Sequence, residues 1–130
     1  MDQRHTRSAL ARARGLGSAK EGVYVWWLER ATAVALVPLT LWLAASFIAR
    51  SGDDYPSVVA WLRTPYASLL MVLLLIALFT HLALGLRVVI EDYVHSGAKI
   101  PALLVVRCAC FALSVAGILA TASIALAGRT

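Results

Sequence analysis

Three runs of apolar residues, Ala31 to Ala49, Tyr66 to Ile90 and Ala102 to Ala127, set the limits of what this chain can become. Each reaches or approaches the roughly 20 residues that carry a helix across ~30 Å of hydrocarbon. Inside lipid the backbone finds no water, so each run has to pair its own amides as a helix. The chain has 130 residues, 61% hydrophobic and 15% charged, with a mean hydropathy of +0.79. That is too apolar for a soluble domain of this size. The expectation is an all-α membrane protein with three transmembrane helices, spanning about residues 28–49, 66–91 and 102–127. A basic arm over residues 1–22 precedes the three-helix domain of residues 23–130. This plan leaves no room for an independent catalytic domain, so the chain is expected to be non-catalytic alone and to share any chemistry with partner subunits.

The distribution of charge orients the helices. Arg4, Arg7, Arg12, Arg14, Lys20 and Arg30 lie on the side of the arm, and Arg87, Lys99 and Arg107 flank the loop between the second and third runs. Only Arg50, Arg63 and Arg129 fall on the opposite side. Cationic loops stay inside, so the N-terminus is expected in the cytoplasm and the C-terminus in the periplasm. The net charge of +5 reads as topology and contact with anionic lipid rather than as nucleic-acid binding. Residues 1–22 carry no apolar core or cleavage pattern of a secretory signal. Gly15, Gly17 and Gly22 should keep the arm from forming a long rigid helix.

Tyr24, Trp26 and Trp27 stand before the first span, and Tyr55, Trp61 and Tyr66 surround the outer loop, as amphipathic rings do at headgroup level. The segment Ser51 to Pro56 reads as a turn, and Pro38 should kink the first span. Cys108 and Cys110 are two apart, about 200° around a helix axis, and cannot bridge each other. They read as buried thiols acting as small hydrophobes.

Chemistry concentrates in the second run. His81 lies in a stretch free of charge from Tyr66 to Leu86, ten residues and about 15 Å from the cytoplasmic end at Glu91. A polar ring at that depth is costly and marks a candidate site. It suits axial ligation of haem iron, or it is polar glue between helices. Gly85, one turn below on the same face, removes a side chain where a flat macrocycle or another backbone could press close. The other histidines, His5 and His95, lie outside the apolar runs, so a six-coordinate haem would take its second ligand from another chain. Asp92, about three turns beyond His81 on the same face, precedes Tyr93 at the interface. A phenol beside a carboxylate can donate to a quinone carbonyl and help deliver protons, although an ordinary helix end has the same composition. Arg30 and Arg87 either snorkel to the interface or pair with an anionic group.

The run His81-Leu82-Ala83-Leu84-Gly85 followed by Asp92-Tyr93-Val94 resembles the second-helix signature of the small hydrophobic membrane anchor subunit of succinate dehydrogenase, complex II. Gly15 to Gly22, then Trp26-Trp27 and Arg30-Ala31-Thr32-Ala33, resemble the same family's entry to its first helix, with proteobacterial members nearest in character. The resemblance covers about residues 15–127. It implies that His81 is an axial ligand of haem b, with the other from the cytochrome b556 membrane subunit. It further implies that Tyr93 hydrogen-bonds ubiquinone with Asp92 as its acidic neighbour, and that Arg30 lies near the haem propionates and quinone pocket. The implied partners are the flavoprotein and iron-sulfur subunits, in a succinate:ubiquinone oxidoreductase of the bacterial inner membrane. A fumarate reductase anchor and a cofactor-free helical scaffold are the alternatives. Tyr24 and Val25 replace polar residues common in the family, and Arg87 replaces an aromatic or amide side chain.

Overall fold

The computed structural model describes residues 17–94 and 97–127, with side chains from residue 22 onward. The arm up to residue 16, His95 and Arg129 lie outside the described residues. Four helices follow one another: α1 (Gly17–Ala49), α2 (Tyr55–Leu62), α3 (Pro65–Tyr93) and α4 (Lys99–Leu126). Three of them are long and apolar enough to cross a membrane, over Gly22–Ala49, Pro65–Tyr93 and Lys99–Leu126. The expected spans are therefore all present, with ends within three residues of the apolar runs except at the start of the first, which begins nine residues earlier.

The largest extension is at the start of α1, which takes in Gly17 and Gly22 rather than breaking there. A glycine inside a helix costs only about 1 kcal/mol relative to alanine. The long run that follows propagates the helix through both. Pro38 also lies within the continuous α1, where it withholds one backbone donor without ending the helix.

The outer loop contains more than the expected turn. After a bend at Ser51 and Gly52 the chain forms the eight-residue α2, capped by Asp54, whose side chain accepts a hydrogen bond from the Ser57 amide at 3.2 Å. Hydrogen bonds from Ser57, hydroxyl first and amide second, hold the Asp54 carboxyl below the ordinary carboxylate range. The signal was Asp54 followed at once by Tyr55-Pro56, an N-cap with proline in the first turn. The helix sets Trp61 against Trp42, ring centroids 5.8 Å apart, and under the Arg50 guanidinium at 4.4 Å.

Packing gives the three long helices an order. Helix α3 is central, with α1 on one side and α4 on the other, and the two flanking helices share no comparable interface among the described residues. A row of three leaves little interior. Its buried apolar residues are Ala67, Leu74, Ala77 and Cys110, joined by Thr32, Ser46 and Thr121. These are mostly small side chains, which let backbones approach where lipid offers no hydrophobic drive to associate. Cys108, expected to be buried, is exposed, whereas Cys110 is buried. The 200° that prevents a bridge also sends the two thiols to opposite faces of α4, and only one of those faces meets α3.

Gly117 shows how tight the α3–α4 seam is. A Cβ there would stand 3.0 Å from Leu75 Cδ1, so alanine requires Leu75 to yield by a few tenths of an ångström and leucine cannot be housed. Overpacking of this kind costs about 1–3 kcal/mol. Gly117→Leu is expected to lower the thermal stability of the detergent-solubilised assembly, with Gly117→Ala in between. Equal melting of all three forms would show that the seam is slack.

Candidate functional site

His81 lies half-buried in the middle of α3, on the side that meets α1. Its Nδ1 is 3.1 Å from Thr32 Oγ1. The same hydroxyl oxygen lies 2.9 Å from the Leu28 carbonyl and 3.0 Å from that of Glu29. Thr32 is buried, 9% exposed, so this polar cluster is part of the seam between the two helices. His81 Nε2 has no hydrogen-bond partner among the described residues and is not enclosed. Next to it in the helix, a Cβ built on Gly85 meets nothing within 4 Å. One ring nitrogen is thus tied to the protein, and the other has no partner among the described residues.

The Thr32–His81 pair also fixes the relative heights of α1 and α3. Arg30, two residues before Thr32, lies only about 3 Å along the axis from the level of His81. Placing Arg30 at the membrane border and His81 about 15 Å inside it therefore cannot both hold. The early start of α1 accounts for the difference, because the stretch ahead of Thr32 runs alongside the half of α3 that leads to Tyr93. Arg30 itself is exposed, with its guanidinium 5.3 Å from the centroid of the Trp26 ring. That contact points it back along α1, away from Thr32, as a snorkelling cation would lie. Trp26 in turn meets Trp27 edge to face at 5.0 Å.

Asp92 and Tyr93 end α3, both exposed, Tyr93 to 81%. By helical rise Tyr93 is about 18 Å from His81, so the two belong to separate parts of any site. Arg87, for which an anionic partner was open, finds one within its own helix: its Nε donates to Glu91 Oε1 at 2.8 Å. Lys99 Nζ reaches the Glu91 carbonyl at 3.4 Å. Ala83, Leu84, Arg87, Glu91, Leu103 and Arg107 border a cleft of about 250 Å³ between α3 and α4. It lies roughly 100° around α3 from His81 and brings none of the expected site residues together. Among the described residues no cluster of three or more His, Cys, Asp or Glu could hold a metal ion.

Sequence reasoning met Thr32 only as a member of the entry run to the first helix, not as a partner of His81. A usable signal existed. Thr32, Thr40 and Ser46 are the hydroxyl side chains of the first span, and a deep imidazole needs one such neighbour.

Three membrane-crossing helices in a row, with an imidazole fixed on one nitrogen and open on the other, define a multi-pass membrane subunit whose polar site faces outward. The family described as succinate dehydrogenase/fumarate reductase transmembrane subunit matches residues 4–121, and the chain belongs to it. The succinate dehydrogenase hydrophobic membrane anchor subunit of Rickettsia bellii (strain RML369-C) is 35% identical over 88 residues, 68% of this chain and 70% of that protein. The subunit of the same description from Paracoccus denitrificans is 35% identical over 88 residues, 67% of each chain. The succinate dehydrogenase membrane anchor subunit of Reclinomonas americana is 35% identical over 81 residues, 58% of this chain and 66% of that protein. No solved structure matches the chain. Family and helices together make it a multi-pass protein of the bacterial inner membrane.

Proposed function

We propose that this chain anchors a succinate:ubiquinone oxidoreductase, holding its flavoprotein and iron-sulfur subunits at the cytoplasmic face of the membrane. On this reading His81 is one axial ligand of haem b, the cytochrome b556 membrane subunit supplies the other, and Tyr93 with Asp92 forms part of the ubiquinone site. The observation that carries it is His81, with Nδ1 held by Thr32 and Nε2 without a partner among the described residues, beside the open flank of Gly85.

The residues present suit a haem. A neutral imidazole with a fixed orientation and one available lone pair is a standard iron ligand. Gly85 leaves room for a planar group against the helix. Arg30, whose backbone lies within about one turn of the level of His81, would have to swing off the Trp26 ring to meet a propionate. Haem b, when bound, would supply a one-electron store to the complex. At the C-terminal end of α3 the exposed Tyr93 phenol donates to a quinone carbonyl, and the Asp92 carboxyl group relays protons to the reduced ring. The bias of Lys and Arg supports a cytoplasmic N-terminus and periplasmic C-terminus, which puts Tyr93 on the same side as the two soluble subunits.

Affinity purification of the tagged chain from its native membrane tests the proposal. The expected product is a four-subunit complex with a b-type optical spectrum, succinate dehydrogenase activity and bound ubiquinone. A colourless complex would favour the scaffold reading, and menaquinone with fumarate-reducing activity would favour the fumarate reductase anchor.

A further inference from the structure

A single hydroxyl proton at Thr32 faces three acceptors, and how it is shared decides which nitrogen of His81 carries a hydrogen. The carbonyls of Leu28 and Glu29, at 2.9 and 3.0 Å, can only accept. They are the i−4 and i−3 carbonyls to which a helical threonine habitually donates. His81 Nδ1, at 3.1 Å, is the one neighbour of the oxygen able to donate to it. Every group is satisfied only when the hydroxyl donates back along α1 and Nδ1–H donates to Oγ1. The reverse arrangement would direct the hydroxyl at Nδ1, put the imidazole proton on Nε2 and leave that N–H without an acceptor among the described residues.

We infer that Thr32 is a positioning residue that fixes His81 as its Nδ1–H tautomer, keeping the Nε2 lone pair aimed at the outer surface as a ligand. The inference rests on the haem reading above and assigns the work of orientation to a residue of α1 that never touches the ligand. Two properties make Thr32 suited to this. It is buried, so water does not compete for Nδ1. Its β-branched side chain is anchored twice to its own helix, so the oxygen is held where the ring needs it. The hydrogen bond also tunes the ligand. An acceptor drawing on Nδ1–H gives the imidazole partial imidazolate character, which strengthens donation through Nε2 and favours the ferric state.

The test uses the assembled four-subunit complex, comparing wild type with Thr32→Val, Thr32→Ser and Thr32→Ala by redox titration of the haem and electron paramagnetic resonance of its ferric form. Valine keeps the shape and removes the oxygen; serine keeps the oxygen and removes a methyl. The expected result is an upward shift of the haem midpoint potential and an altered low-spin signal in the valine and alanine forms, with serine returned to wild type. If the valine form does not assemble, serine against alanine poses the same question. Unmoved potentials in the valine or alanine form, or a serine form displaced as far as they are, would overturn the assignment. His81→Ala separates the two levels of the argument. Retention of the bis-histidine signal in that variant would remove the haem reading itself, whereas loss of the signal there with Thr32 variants unchanged would remove only the role of Thr32.

Discussion

On the proposed haem reading, replacing His81 by alanine is expected to abolish the low-spin b-type spectrum of the assembled complex, and Gly85→Leu is expected to weaken or abolish it with the subunits still assembled. The first expectation rests on His81 being one of the two iron ligands of the proposed haem. The second is expected because a Cβ at position 85 meets nothing within 4 Å among the described residues, so the added bulk projects toward space that a bound planar group would occupy. The measurement is a reduced-minus-oxidised difference spectrum on complex of verified subunit composition. Succinate oxidation by an artificial acceptor should survive in both variants, since the proposal assigns flavin and iron-sulfur chemistry to other subunits. A His81→Ala complex with an unchanged spectrum would return this residue to a role as glue between α1 and α3.

The second large effect is expected at the far end of the same helix. Tyr93→Phe keeps the ring and removes the one donor able to reach a quinone oxygen from this position. A hydrogen bond to a neutral acceptor contributes about 0.5–1.5 kcal/mol net, and more where it strengthens as charge develops on the acceptor. Quinone reductase turnover should therefore fall about tenfold or more, with artificial-acceptor activity unaltered. Parallel loss of both activities would mean that Tyr93 supports docking of the soluble subunits. Because Tyr93 and His81 are about 18 Å apart along α3, the spectrum of the Phe variant should match wild type, as the turnover of His81→Ala need not.

The three spans were legible because length and hydropathy suffice to specify a helix in lipid, and His81 was legible because a ring nitrogen is conspicuous among Leu, Val and Ala. The helix ends were less so. Gly17 and Gly22 argued against the start of α1, and the pairing of Thr32 with His81 explains why α1 nonetheless runs so far ahead of its apolar core. Without a partner helix alongside, neither glycine carries that information. Asp54-Tyr55-Pro56 announced α2 by its capping chemistry, but the eight residues that follow are too few for a period to emerge. Cys108 was misplaced because an apolar run marks what faces away from water, and in a membrane subunit that includes the lipid and partner surfaces. Thr32 escaped notice for a different reason: a threonine in a span usually satisfies itself on its own helix, and only the cross-helix register shows that it serves a second group. Arg87 could not be assigned until Glu91, one turn on, was seen to hold it.

The central position of α3 has one further consequence. Helices laid side by side present two faces and enclose no chamber, so the open nitrogen of His81 looks out from a wall. On the proposed reading the chain carries half of a socket. Cofactor insertion and subunit pairing then become the same event, and a copy of this chain waiting in the membrane for its partner would be pigment-free. The colour of the complex would report that assembly had finished.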